Sequence, residues 1–149
     1  MASPFDFKHA PGHLIRRAHQ LSVAIFMDEA AAFEVTPVQF SIINALMDTP
    51  GVDQVTLATR VAFDAATSGS VIGRLEARGW IRRQVDPADK RRKLLWVTQA
   101  GEKAAIQMKK AVTRVQKRIL SPLDAAEQAL FLELLDRLVA GHEPGAATD

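Results

Sequence analysis

Residues 71–101 read VIGRLEARGWIRRQVDPADKRRKLLWVTQAG, and this stretch decides the fold. Its first part keeps apolar residues at helical spacing and stops at Gly79, the residue type that most often follows a helix C-terminus. The segments Trp80–Val85 and Lys93–Val97 have the composition of strands, and the polar residues between them form a turn. A helix that leads directly into a charged hairpin predicts a winged helix-turn-helix.

The preceding residues predict the other short helices of this unit. Thr36 and Pro37 suit an N-cap and a first helical position, and residues 49–51, Thr-Pro-Gly, end that helix. Asp53 and Asp64 are expected to cap the next two helices, the second of which runs to Gly79. The residues expected to face inward are Phe40, Ile43 and Met47 in the first helix and Val55, Leu57, Ala58 and Val61 in the second.

Long amphipathic helices flank the unit on both sides. One is expected to begin at Gly12 or His13, and two more follow the hairpin, the last starting at Ser121-Pro122. Their apolar stripes are Leu14, Ala18, Leu21 and Ile25; then Met108, Val112, Val115 and Ile119; then Leu130, Phe131, Leu134, Leu135 and Leu138. The predicted fold is mainly α with a small β-wing, a winged helix-turn-helix on a helical base, in the order α-α-α-α-β-β-α-α. We expect a single domain over residues 1–149.

Charge and composition restrict the function. The net charge is only +2, but residues 54–99 hold nine Lys and Arg against four Asp and Glu. Localised positive charge predicts a polyanion site, and a solvated charged face explains it equally well. The absence of cysteine excludes disulfides, thiolate metal sites and cysteine nucleophiles. No apolar run is long enough to span a membrane, and the N-terminus lacks the pattern of a signal peptide, so we expect a cytoplasmic protein.

The helix before the hairpin and the hairpin tip are the predicted DNA contacts. Small polar side chains on the first half of that helix, Thr67, Ser68 and Ser70, suit close approach to bases and phosphates. Arg74 and Arg78 follow at four-residue spacing; solvated helix faces carry such arginines equally often. At the tip we expect Asp89 to hold the turn and Arg91 to enter the minor groove. The cations of the tip are Lys90, Arg91, Arg92 and Lys93.

Two glycines of the same helix, Gly69 and Gly73, each cost about 1 kcal/mol of helix stability relative to alanine. Close approach to another surface explains why they are present. For Gly73, close packing against another helix is an equally good explanation.

The quoted stretch resembles the signature of the MarR family of transcriptional regulators. The end of the recognition helix, the wing element Asp89-Lys90-Arg91 and the exit Val97-Thr98-Gln99-Ala100-Gly101 all have counterparts in that family, with Val97 where Leu is commoner. The resemblance implies a homodimer in which residues 12–35 and 100–141 form the dimerisation helices and residues 36–99 form the DNA-binding lobe. The two recognition helices would lie ~34 Å apart and read a pseudo-palindromic operator in double-stranded DNA.

Many proteins of this family release DNA when a small aromatic acid binds, and residues 11–37 resemble regulators of aromatic-acid breakdown. We therefore expect a hydroxylated benzoate, cinnamate or pyridine carboxylate as the effector. The first helix carries cations without acids nearby, and Phe40 offers an aromatic wall. The candidate ligand-binding residues are His9, His13, Arg16, Arg17 and Phe40. The alternative for Arg16 and Arg17 is pairing with Glu133 or Asp136 across the dimer.

Other classes of protein have less support. His9 and His13 have metal-like spacing, but Pro11-Gly12 lies between them, and no metal or cofactor is expected. The sequence holds no phosphate-binding loop and no signature of a hydrolase or metalloprotease, so no catalytic residue is predicted. The remaining rivals are a winged helix used only for dimerisation or protein contact, and a MarR-type activator. Charge reversal at Arg91 and Arg92 separates DNA binding from pure dimerisation.

Overall fold

The structure, a computed structural model, describes residues 5–61 and 64–143. Six α-helices and three strands lie in this part of the chain. The helices are α1 (Pro11–Glu29), α2 (Pro37–Asp48), α3 (Gln54–Arg60), α4 (Ala65–Ala77), α5 (Gln99–Leu120) and α6 (Ala125–Ala140). The strands are β1 (Val52–Asp53), β2 (Ile81–Val85) and β3 (Lys93–Val97), and short 3-10 turns occupy Phe7–His9 and Ala31–Phe33. The predicted mainly helical winged-helix fold is confirmed.

The sheet has one strand more than the sequence predicted. β2 and β3 form the expected antiparallel hairpin, with Ile81 opposite Val97, and β1 pairs with the other edge of β3. β1 is only two residues long, which is too short to show the alternation of apolar and polar residues that predicts a strand. It forms because Gly51, at a φ of 79° that side-chain-bearing residues rarely adopt, turns the chain and donates its N–H to the carbonyl of Leu95 at 2.8 Å.

The helix starts follow the predicted capping chemistry with one exception. Thr36, Asp53 and Asp64 each accept a hydrogen bond from the backbone N–H three residues ahead, as predicted for N-caps. The predicted start of the last helix at Ser121-Pro122 is wrong. Asp124 caps α6 instead and forms a reciprocal capping box with Glu127, which satisfies two backbone donors that Ser121 does not reach.

The exit from the hairpin explains the Thr98-to-Gly101 motif. The Thr98 hydroxyl accepts the N–H of Gly101 at 3.1 Å and donates to the carbonyl of Gly79 at 2.6 Å. A Cβ on Gly101 would lie 2.3 Å from the carbonyl oxygen of Trp80, so only glycine fits there. The motif thus links the start of α5 to Gly79, just after the end of α4.

The lobe has a buried core of its own. Two inward assignments are wrong: Met47 is 38% exposed and Val55 is 73% exposed. On α2, Ile43 is buried as predicted, and Leu46 is buried in place of Met47. The core side chains are Ile42, Ile43, Leu46, Leu57, Ile72, Leu75, Ile81, Leu95 and Ala105.

The terminal helices pack differently. α1 lies along α5, and Phe26, Ala30 and Val115 form a small separate core between them. α6 contains no buried residue and makes almost no contact with the other described elements of its own chain. No helix within residues 5–61 or 64–143 has the length and apolarity to cross a membrane.

Candidate DNA interface and effector cavity

The start of α4 is held by its own polar residues. Asp64 accepts the backbone N–H of Thr67 at 2.8 Å and the Thr67 hydroxyl at 2.6 Å, and these bonds lower the pKa of the Asp64 carboxyl. Thr67, Ser70 and Arg74 are exposed on the helix. The structure therefore leaves three of the four predicted α4 contacts accessible.

Ser68 is the exception, and its predicted DNA contact is wrong. Its side chain is fully buried, and its Oγ has no hydrogen-bond partner among the described residues. The reason is helical periodicity: Ser68 lies four and seven residues before Ile72 and Leu75, which are both in the lobe core. Its hydroxyl faces the core, away from any docked polyanion.

The two glycines of α4 have different surroundings. A Cβ on Gly69 would meet the side-chain amide of Gln54 at 3.2 Å, so α3 packs closely against α4 there. A Cβ on Gly73 would meet nothing within 4 Å, so the described part of this chain does not supply the close helix packing that was one explanation for Gly73.

The wing tip is a pre-shaped turn. The Asp89 carboxylate accepts the backbone N–H of Arg91 at 3.0 Å and its Nε at 3.3 Å, and these two bonds lower the pKa of Asp89. Asp86 accepts the N–H of Ala88 at 2.8 Å, and its own N–H donates to the carbonyl of Arg92. The predicted holding role of Asp89 is confirmed, and the Arg91 side chain stays 91% exposed.

Arg92 positions the wing. Its guanidinium binds Asp53 at 3.1 Å and Asp86 at 3.4 Å, so the hairpin is tied to the start of α3. The pKa of Asp53 falls to about 2, chiefly because the Thr56 hydroxyl and backbone N–H donate to it and then because Arg92 is close. Lys90 and Lys93 are exposed and form no ion pair with a described residue. The exposed cations of the wing tip are thus Lys90 and Lys93, which have no ion-pair partner among the described residues, and Arg91, whose Nε binds Asp89.

A concave basic surface lies between the start of α3 and the wing. It encloses about 320 Å³ and brings four cations to a single carboxylate. Arg83 and Gln54, which the sequence did not single out, are joined here by a hydrogen bond of 3.4 Å. The surface is lined by Asp53, Gln54, Val55, Arg83, Arg91, Arg92 and Lys93.

Arg78 is exposed, but its guanidinium is bound within the chain. Its Nη1 and Nη2 donate to the carbonyls of Glu34 and Phe33 at 2.8 and 2.6 Å, and its guanidinium stacks 3.8 Å from the Trp80 ring. No sequence signal indicated these bonds, because the acceptors are backbone atoms 44 and 45 residues away. Of the two arginines, Arg74 is exposed and its guanidinium makes no hydrogen bond with a described residue.

A larger, mainly apolar cavity of about 760 Å³ lies between α1, α2 and α5. Phe40 lines it, as predicted for an aromatic wall. Its polar side chains are few and come from all three helices: His19, Ser22, Thr36, Ser41 and Gln116. Such a volume and such a lining, apolar with a few polar groups, are typical of a site for a small ring compound.

The four predicted cationic and imidazole residues do not line this cavity in their own chain. His9 pairs with Asp6, and His13 stacks on Phe7 with its buried Nδ1 lacking a partner among the described residues. Arg17 donates to the side chain of Gln20 at 3.2 Å, and Arg16 is exposed. His19, three residues after Arg16, was missed; its spacing of three and seven residues to Ser22 and Phe26 places all of them on one face.

A cluster of charges joins α1 and α5 beyond the cavity wall. Arg114 and Arg118 bind the Glu29 carboxylate at 2.8 Å, and Arg118 also binds Asp28. Arg114 first and Arg118 second lower the pKa of Glu29. Glu29 and Asp28 are therefore paired with arginines of α5, and neither forms an ion pair with the cations of α1.

Comparison with known proteins agrees with this architecture. A model of the MarR family matches residues 33–92. HosA, a transcriptional regulator of Escherichia coli O111:H-, is 33% identical over 127 residues, which cover 85% of this chain and 93% of HosA. NicR, a transcriptional repressor of Pseudomonas putida, is 30% identical over 141 residues, covering 95% and 89%. The structure of Bordetella bronchiseptica BpsR, whose DNA binding is regulated by 6-hydroxynicotinic acid, has a TM-score of 0.86 at 32% identity, covering 92% and 98%.

Proposed function

This chain belongs to the MarR family of transcriptional regulators, and on that premise we propose that it is a homodimeric repressor released from its operator by a small aromatic carboxylic acid. The observation that carries the proposal is the exposed Arg91, held at a braced wing tip beside the exposed face of α4. Relatives named as transcriptional regulators, among them HosA and NicR, point to regulation and away from catalysis.

The DNA contacts follow from accessibility. Thr67, Ser70 and Arg74 on α4 approach the major groove, while Arg91 enters the adjacent minor groove. Lys90 and Lys93 meet phosphates, and Arg92 holds the wing in place for them. We keep residues 36–99 as the DNA-binding lobe of a single domain over residues 1–149.

A second copy of the chain covers the terminal helices. Seven large apolar side chains of α6 are 39–55% exposed, and an isolated helix of this length is marginal in water. Leu14, Ile15 and Leu21 of α1 are exposed as well. Residues 12–35 and 100–141 therefore serve as dimerisation helices, and a twofold axis brings the two lobes to half-sites ~34 Å apart.

The effector occupies the cavity between α1, α2 and α5. A ring packs on Phe40 and Phe26, and polar substituents reach His19, Ser22 and Gln116. The regulation of BpsR by 6-hydroxynicotinic acid supports a pyridine carboxylate, with hydroxylated benzoates and cinnamates as related candidates. A ligand that prefers one spacing of the lobes while DNA prefers another weakens operator binding by about 5- to 150-fold.

Arg16 and Arg17 do not line the cavity of their own chain, so a role toward the ligand requires that a second copy bring them to it. The alternative is that they pair with Glu133 or Asp136 of a second copy. Arg16→Gln and Arg17→Gln separate the two. If they bind the carboxylate, effector affinity falls and the dimer persists; if they pair across the interface, the dimer weakens first.

The first test is binding to the DNA upstream of the chain's own gene and to random duplex DNA over a salt series. We expect Arg91→Glu to weaken operator binding by about 1–3 kcal/mol and to reduce the salt slope by about 1. Lys8→Glu, at an exposed cation outside both the lobe and the dimerisation helices, is the control and keeps wild-type affinity. No binding even at low salt would overturn the proposal in favour of a dimerisation module.

An acid panel and a reporter gene test the rest of the proposal. The panel contains 6-hydroxynicotinic, 4-hydroxybenzoic and 4-hydroxycinnamic acids. Release of operator DNA by one of them identifies the effector class, and no heat and no release with any of them removes the effector claim. Deletion of the gene raises reporter expression for a repressor and lowers it for an activator.

A further inference from the structure

Arg78 joins the end of the recognition helix to the connection between α1 and α2. It is the C-terminal cap of α4, and its two terminal nitrogens donate to the carbonyls of Phe33 and Glu34. The Trp80 ring supports the guanidinium from one side at 3.8 Å. A planar guanidinium with two donors in a fixed fork makes this a defined geometric link between elements far apart in sequence.

The other side of that connection forms the cavity wall. Thr36 and Pro37, two and three residues after Glu34, line the proposed effector site. Val35, which lies between Glu34 and Thr36, is 1% exposed, and it packs in a core with Ala104 and Met108. The segment from Phe33 to Pro37 thus has the cavity on one side and Arg78 on the other, with little room to absorb a displacement.

The backbone at Glu34 is in an uncommon state. Its φ of 52° and ψ of 46° are left-handed, and it is the one residue other than glycine with a positive φ in residues 5–61 and 64–143. A non-glycine residue persists there when its surroundings hold it, and such positions are frequent at switch segments. The N–H of Glu34 donates to Ala31, and its carbonyl is one of the two that Arg78 binds.

We propose that Arg78 is a positioning residue that couples the cavity to the recognition helix. This coupling role rests on the proposed function, because it is the route by which a ligand in that cavity would change DNA affinity. A ligand that shifts Thr36 and Pro37 moves the carbonyls of Phe33 and Glu34, and the guanidinium carries that shift to the end of α4. Because coupling between two sites is reciprocal, DNA on α4 changes the cavity wall by the same route.

Hydrogen–deuterium exchange of Arg78→Lys tests the link without any effector. Lysine keeps the charge and loses the two-donor fork, so we expect the backbone amides of residues 33–36 and 38–40 to exchange about 5-fold faster than in the wild type. Arg82→Lys is the matched control, because Arg82 also stacks on a tryptophan, Trp96, at 4.3 Å but makes no hydrogen bond to this segment. The amides of α5 serve as the internal reference for global stability. Wild-type exchange at residues 33–40 in Arg78→Lys overturns the proposal.

Operator affinity with and without 6-hydroxynicotinic acid tests the coupling itself. We expect the ratio of the two dissociation constants to fall towards 1 in Arg78→Lys, while the acid binds the free protein within about 2-fold of the wild type. An unchanged ratio overturns the coupling role. If the acid leaves wild-type operator binding unchanged, that acid is overturned as effector. The coupling is then decided by whether operator DNA slows exchange at residues 33–40 in the wild type and not in Arg78→Lys.

Discussion

The DNA-binding lobe and the helical base solve the same problem, the removal of apolar surface from water, in opposite ways. The lobe buries Leu57, Ile72 and Leu75 completely within one chain. α6 carries an equally apolar sequence and buries none of it in the described chain. Hydrophobic content alone therefore does not show where a core lies. A self-contained core and an interface have the same composition and differ in what covers them.

The largest expected effect comes from breaking the base. Phe131→Glu combined with Leu135→Glu places two charges on the exposed face of α6, so we expect the proposed homodimer to dissociate and operator affinity to fall by more than about 100-fold. Sedimentation equilibrium measures the molar mass and fluorescence anisotropy the affinity. Val55→Glu, a charge on an exposed apolar position of the lobe, keeps the dimeric mass. A double variant that stays dimeric would place the interface elsewhere.

Next in size is a cavity in the lobe. Leu75→Ala removes a fully buried side chain, and the free energy of unfolding falls by about 2–5 kcal/mol. Urea denaturation measures this loss. Because the lobe core is internal to one chain, the same loss is expected in the monomeric double variant described above. If the loss vanishes there, the lobe is not folded without the base and the contrast between the two regions fails.

The third effect depends on pH and concerns Asp53, the carboxylate that binds Arg92 and so ties the wing to the start of α3. The folded pKa of Asp53, about 2, is below its usual 3.8, so Asp53 stabilises the fold above pH ~4 and loses that contribution as the pH falls towards 2. Asp53→Asn is expected to cost about 2 kcal/mol at pH 7, and this difference from the wild type shrinks below pH ~4. Urea unfolding at pH 7, 4 and 3 measures it. A difference independent of pH would contradict the assignment.

The smallest effect concerns Ser68. Its buried hydroxyl makes no hydrogen bond with a described residue, so Ser68→Ala removes a desolvated polar group at little cost in packing. We expect the free energy of unfolding to stay equal or to rise by up to about 1 kcal/mol, and operator affinity to stay unchanged. Ser70→Ala, on the exposed face of the same helix, is the control that weakens DNA binding. A loss of affinity in Ser68→Ala would restore Ser68 to the interface.

Local chemistry was predictable from the sequence. The caps at Thr36, Asp53 and Asp64 and the turn at Asp89 depend on atoms within a few residues, so residue type and spacing are enough to predict them. The hairpin followed for the same reason. Asp89 and Arg91 are two residues apart in sequence. The turn that they form at the wing tip, the main feature of the candidate DNA interface, was therefore predictable from the sequence alone.

What the sequence did not reveal depends on distant contacts. β1 exists only because β3 pairs with it, and the bonds of Arg78 end on carbonyls of another segment. The residue type of Ser68 suggested an exposed polar side chain. Its burial depends on the elements that pack against that face of α4, and residue type alone does not reveal them. On α2, Leu46 and Met47 are adjacent and both apolar, and packing buries Leu46 and leaves Met47 exposed.

The braced wing tip has a consequence for the entropy of DNA binding. A loop that orders only on contact loses about 1–2 kcal/mol of backbone freedom per residue at that moment. Here Asp86 and Asp89 fix the turn in the free chain, and in the proposed complex only the side chains of Lys90, Arg91 and Lys93 remain to be immobilised, at about 0.5–1.5 kcal/mol each. In the proposed complex the wing therefore meets the duplex already in shape, and little of the attraction to the phosphates is spent on ordering its backbone.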